Sequence, residues 1–150
     1  MRVYHSAYHD VTYQPRRLAK RIARVSRNLL KLRKKLWFDA IVFRGSSGAS
    51  IAYAVSAITR IPIVYVRKNG EHNHGSKIEG TDNNVRKYII LDDFISGGNT
   101  VRTIAKAMRQ HAGGLWYLDQ PKCVGIALFN DDDERTEWKV QGEFVPILKV

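Results

Sequence analysis

Short, continuously apolar runs alternate along this chain with longer stretches whose apolar residues recur at helical spacing. DAIVF at 39–43, IPIVYV at 61–66, YIIL at 88–91 and CVGIALF at 123–129 read as strands, and EFVPIL near the end as an added edge strand. Pro62 stands at the beginning of its strand, where a missing N–H matters least. Between them, 48–59 reads as a helix of small apolar residues, and 99–111 as a helix with Val101, Ile104, Ala105 and Met108 on one face, stopped by Gly113-Gly114. Ahead of the first strand, Leu18, Ile22, Val25, Leu29, Leu32 and Leu36 recur at steps of four and three, and Pro15 stands where a helix can start. Residues 67–86 are polar, with Gly70, Gly75 and Gly80, and read as a long mobile loop. Unbroken apolar strands separated by helices predict an α/β domain with a mostly parallel sheet of about five strands and helices on both faces. Such sheets bind ligands beyond the carboxyl ends of their strands. Arg44-Gly45, Arg67-Lys68 and Asp92-Asp93 all follow strand ends, so one rim should collect all three.

Composition narrows the setting. A chain of 150 residues is long enough for one core, and no repeat or low-complexity linker divides it. A single domain over 1–150 is expected. No run approaches the roughly 18 apolar residues of a membrane span, and no apolar segment follows a basic start as in a secretory signal. The single cysteine, Cys123, excludes an internal disulfide framework and suits a cytoplasmic, reducing setting. Its place in CVGIALF predicts a buried structural thiol. Charge is concentrated: residues 16–35 hold ten Lys or Arg and no acid, so they supply +10 of the net +11. Like charges without acidic partners one turn away destabilise a helix. This basic amphipathic helix, 16–36, is therefore either a solvated face, a surface for a partner subunit's acids, or one for nucleic acid over 16–35.

The candidate chemistry centres on YIILDDFISGGNTVRTI, residues 88–104. An apolar strand ends in two adjacent carboxylates, a Ser-Gly-Gly-Asn-Thr turn follows, and a helix begins. Gly97 and Gly98 permit left-handed dihedrals and close approach of a ligand. The first N–H groups of the helix, with its dipole, make an anion site. Ser96, Asn99 and Thr100 add side-chain donors. The acids can accept hydrogen bonds from a diol or attract a metal riding on the ligand, and they can also be a plain strand end and helix cap. The turn is neither a Walker A loop nor a G-x-G-x-x-G fingerprint.

LDDFISGGNT resembles the phosphoribosyl-diphosphate (PRPP) signature of type I phosphoribosyltransferases. IVFRGSSGASIAYAVS is similar to that family's diphosphate loop and following helix, and IPIVYVRKNGEHNHGSKIEG to its second strand, Arg-Lys pair and catalytic loop. The resemblance implies a Rossmann-like type I phosphoribosyltransferase fold with a small or reduced hood. It implies Asp92 and Asp93 for the ribose hydroxyls, and Ser96, Gly97, Gly98, Asn99 and Thr100 for the 5′-phosphate. Arg44, Gly45, Ser46 and Ser47 would hold diphosphate, and Arg67, Lys68, His74 and Lys77 would be catalytic. Magnesium would ride on PRPP, with Asp92 and Asp93 as its nearest protein groups, and a homodimer is implied.

The chain departs from the family in its loop. Orotate phosphoribosyltransferases have a stretch Arg-Lys-x-x-Lys-x-His-Gly; here one residue is inserted, and Glu71 or His72 stands in place of the loop lysine. Ser96 replaces the proton-handling Asp of hypoxanthine-guanine members, which argues against that substrate class. Phe129, after the fourth strand, is a candidate to stack on a base, as is Trp138, while Asp131, Asp132, Asp133 and Glu134 read as a solvated turn. Two function classes stay open. One is a transferase moving a phosphoribosyl group from PRPP to a nucleobase. The other is a PRPP-binding regulator of the same fold without catalysis.

Overall fold

Alternation of side chains between two apolar layers builds this fold. The computed structural model describes residues 14–68, 77–80, 85–112, 120–130 and 134–150. In chain order the elements are α1 (Pro15–Leu36), β1 (Ala40–Arg44), α2 (Gly45–Thr59), β2 (Ile63–Val66), β3 (Ile78–Gly80), β4 (Lys87–Asp92), α3 (Asn99–Ala112), β5 (Lys122–Leu128), β6 (Glu137–Val140) and β7 (Glu143–Lys149). The sheet has seven strands in the order β3-β2-β1-β4-β5-β7-β6. Its interior, from β2 to β7, is parallel, and β3 and β6 pair antiparallel at the two edges.

The parallel core matches the expectation of about five strands, and the two edge strands are additions to it. Neither carries an apolar run: β3 is only Ile-Glu-Gly, and β6 buries only Val140. Segment 143–149 is not the edge; it pairs with β5 on one side and β6 on the other. Nor is 67–86 one long loop, because Ile78–Gly80 returns to pair with β2.

In β1, Ala40 and Val42 face one cluster while Ile41 and Phe43 face the other; in β4, Tyr88 and Ile90 oppose Ile89 and Leu91 in the same way. Helix α3 covers the first layer with Val101, Ile104, Ala105 and Met108, and α1 with α2 covers the second. Helices therefore lie on both faces. The stripe of α1 packs as its spacing predicts: Val25 and Leu29 are fully buried, and Leu18, Ile22, Leu32 and Leu36 pack against the same cluster. Full burial of residues of this size is worth about 1.5–3 kcal/mol each, which holds α1 to the domain despite its charge. Trp37, left-handed at φ 50°, ends it by donating its N–H to the Arg33 carbonyl. Cys123 is buried, its thiol pushed up to about 12 by loss of solvent, as expected of a structural cysteine. Among the described residues no helix is long and apolar enough to cross a membrane.

The chain leaves β1 through α2 on one face and β4 through α3 on the other. These strands are neighbours, so the crevice between their carboxyl ends is a topological switch point.

Candidate active site

Asp92 is the last residue of β4 and Asp93 follows it; they are 5% and 7% exposed. The Asp93 N–H donates to Asp92 Oδ1 at 3.0 Å, and the Phe94 N–H to Asp93 Oδ1 at 3.0 Å. Each carboxylate thus caps the backbone just after it, which fixes its direction. The pair does end a strand, but these bonds come from the residue directly after each acid and not from the first turn of a helix, which begins at Asn99. They do not explain why two acids are buried side by side. Burial, and then the neighbouring Asp93, push Asp92 from an ordinary carboxylate up to about 8. A buried pair of this kind favours a shared proton, hydroxyl donors or a cation. Ser47 points its hydroxyl at Asp92 Oδ1, 3.5 Å away, linking the first turn of α2 to the end of β4.

Two helix N-termini open onto the same crevice. Helix α2 starts at Gly45, directly after β1 and a turn earlier than the apolar pattern indicates, because Gly45 takes φ +71° and turns the chain at once. Lys68, just after β2, lies over it: a Cβ on Gly45 would sit 2.3 Å from Lys68 Cε and 2.9 Å from Nζ. Gly48 lets the same turn press on β4, since a Cβ there would be 3.2 Å from the Leu91 carbonyl oxygen. The first turn of α2 has no acid and no side-chain cap, so Gly45, Ser46, Ser47 and Gly48 present amides to an anion. Arg44 Nε is buried there, without a hydrogen-bond partner among the described residues.

Helix α3 begins at Asn99 and likewise has no acid in its first turn. Before it, Ser96 and Gly97 are exposed, and Gly98 takes φ +72°. Only Gly98 uses the left-handed region. Gly97 does not, and a Cβ there would meet nothing within 4 Å. Packing does not require glycine at 97, whereas an approaching ligand would.

Sequence reasoning missed what holds this loop. Arg135 donates to the Ile95 carbonyl and, at 3.4 Å, to that of Ser96. Its guanidinium lies 4.9 Å from the Trp138 ring centroid, and a Cβ on Gly98 would be 2.3 Å from Trp138 Cζ2. The C-terminal hairpin therefore braces residues 95–98. Its only trace in the sequence is a tryptophan in a polar strand.

Other candidates lie differently. Phe129 is 3% exposed within the layer under α1, with the Arg21 guanidinium 5.4 Å from its ring centroid. Arg24 donates to its carbonyl at 3.0 Å, and Arg21 to Asn130 Oδ1 at 3.2 Å. Its position at the end of β5 turns the ring into the core, so the stacking assignment is replaced by a packing one. Trp138 braces the glycine turn. Arg67 is ion-paired with Glu79, and its N–H donates to the Lys77 carbonyl at 3.0 Å, closing the β2–β3 hairpin. Lys77 is exposed at the foot of that hairpin, as is Glu134 after β5. His74 and 131–133 lie outside the described residues.

Acid pair, glycine turn and twin helix N-termini thus share one switch point, and the PRTase-CE family model matches the chain over residues 2–138. The chain belongs to the PRTase-CE family. Its fold is that of type I phosphoribosyltransferases. Orotate phosphoribosyltransferase of Francisella tularensis superposes with a TM-score of 0.64 at 16% identity, covering 92% of this chain and 67% of that one. Adenine phosphoribosyltransferase of Saccharomyces cerevisiae, solved with an imino-altritol bisphosphate and adenine, gives a TM-score of 0.63 at 16% identity, covering 93% and 81%. At these identities the likeness establishes the fold alone. In sequence, orotate phosphoribosyltransferase of Lactiplantibacillus plantarum is 41% identical over 76 residues, 49% of the PRTase-CE chain but 35% of that protein. The chain covers 35–49% of the length of this and three further orotate phosphoribosyltransferases.

Proposed function

We propose that this chain transfers the 5-phosphoribosyl group of PRPP to a nucleobase or related nitrogen nucleophile, releasing diphosphate. One observation carries the reading: a buried carboxylate pair stands between two acid-free helix N-termini, so a single crevice offers hydroxyl acceptors flanked by anion sites. PRPP has that layout, a diol between a phosphate and a diphosphate. In this reading Asp92 and Asp93 accept from the ribose hydroxyls. Ser96, Gly97, Gly98, Asn99 and Thr100 bind the 5′-phosphate. Arg44, Gly45, Ser46 and Ser47 bind the diphosphate, with Lys68 above them.

The acceptor nitrogen forms a bond to ribose C1 as the C1–oxygen bond breaks, the electron pair leaving on diphosphate and the acceptor's proton passing to water or a nearby base. The protein's contribution is positioning and stabilisation of the charge that grows on the leaving oxygen. Lys68 and the α2 amides stand where that charge develops, and His74 and Lys77 are the loop groups assigned to the same task. A raised Asp92 fits a site that is completed by a cation: magnesium would be held mostly by the ligand's own oxygens and water, with Asp92 and Asp93 beside it, and would neutralise diphosphate. A homodimer in the cytoplasm is the expected setting.

A second reading, PRPP binding without turnover, is favoured by the ion pair that commits Arg67 to Glu79. A diphosphate-release assay with PRPP, magnesium and a panel of nucleobases separates the two. Release dependent on one base is expected. PRPP binding with no release for any base supports the second reading and contradicts the first.

A further inference from the structure

Helix α1 has a face that the proposed reaction does not use. Arg16, Lys20, Arg27, Lys31 and Lys34 are all exposed and follow one another at steps of four, seven, four and three. At 3.6 residues per turn these steps keep all five on one line, about 27 Å long. The line runs along the side opposite Leu18, Ile22, Val25, Leu29, Leu32 and Leu36, which pack into the sheet layer. Two exposed apolar side chains accompany it: Leu30 at 41%, between Arg27 and Lys31 in sequence, and Trp37 at 76%, just past Lys34 at the end of the helix. Arg21 and Arg24 do not belong to the ridge, since they reach to Asn130 and Phe129 at the end of β5.

We infer that this ridge is a docking surface for single-stranded nucleic acid, with the backbone phosphates along Arg16, Lys20, Arg27, Lys31 and Lys34 and a base on Trp37. A linear row of five cations is matched by a polymer with evenly repeated anions, whereas a small phosphate ligand meets only one or two of them. An anionic membrane is disfavoured because interfacial helices insert an apolar face, and the apolar face of α1 is already spent on the core. The exposed indole distinguishes a nucleic acid from an acidic peptide: an aromatic plane beside a cationic track is how single strands are held without sequence preference.

Fluorescence anisotropy with labelled single-stranded DNA and RNA of about 20 nucleotides tests this. Five neutralised phosphates give a log–log salt slope of about −3.5, so affinity should fall about a hundredfold between about 50 and 200 mM salt. Changing Arg16, Lys20, Arg27, Lys31 and Lys34 together to Gln, a comparable helix former, should bring the slope close to zero. Trp37→Ala should weaken binding and leave the slope unchanged, and it serves as an independent readout if the fivefold variant fails to fold. The proposal is overturned by no binding of either strand at about 50 mM salt, or by a folded Gln variant that binds like the parent. Polyglutamate or anionic vesicles competing as well as the oligonucleotide, at equal charge, would also overturn it. Because none of the five cations belongs to the groups assigned to the crevice, diphosphate release should be unchanged in the Gln variant, and failure of one proposal leaves the other standing.

Discussion

Replacing Asp92 and Asp93 together by Asn should weaken PRPP binding at least about a hundredfold, since hydrogen bonds to charged groups are worth about 1.5–3 kcal/mol each. The fold should survive, because an Asn oxygen can still accept from the Asp93 and Phe94 N–H groups that the carboxylates now cap. Stability without ligand should move the other way. Asp92 has a folded-state pKa raised to about 8 by burial and by Asp93, so its contribution is fully present below the ordinary carboxyl range and is lost as pH rises through that value. The variant should therefore melt above the parent at pH 9, with the gap closing toward pH 4. Calorimetric titration and melting curves across that window read both effects. Unchanged PRPP affinity would return the pair to a capping role.

The two glycines of the turn should separate binding from folding. Gly98→Ala forces a left-handed side chain, at about 1–2 kcal/mol, and drives its Cβ into Trp138. It should lower the melting temperature and cut ribose 5-phosphate affinity by tenfold or more. Gly97→Ala meets open space at ordinary φ, so stability should change by less than about 0.5 kcal/mol. Its new methyl should nevertheless obstruct the phosphate and weaken the same ligand. Equal, undiminished affinity in Gly97→Ala would mean that no ligand approaches the backbone there.

How much of this was legible in the sequence follows from the period of each element. Strands β1, β4 and β5, at the centre of the parallel core, are buried on both faces along most of their length, so they appear as unbroken apolar runs and are easily found, as is the stripe of α1. The same unbroken pattern hides direction. CVGIALF gives no alternation to show which residues face which layer, and Phe129 could not be told apart from a pocket wall until α1 was seen covering it. Strands β3 and β6 were missed because edge pairing needs only backbone groups and leaves almost no apolar trace. The acid pair and the turn were legible because their chemistry is contiguous. Ser47 beside Asp92, Lys68 over Gly45, and Arg135 with Trp138 behind Gly98 join residues distant in sequence, and only the fold brings them together.

Titration of the protein with magnesium and PRPP, followed by its melting temperature, tests the central claim most directly. At a hundred times its Kd the ligand should add about 2.7 kcal/mol, which for a domain of this size is a rise of about 5–10 °C. No shift with PRPP, with ribose 5-phosphate or with nucleoside monophosphates would contradict the assignment of this crevice to a phosphoribosyl ligand.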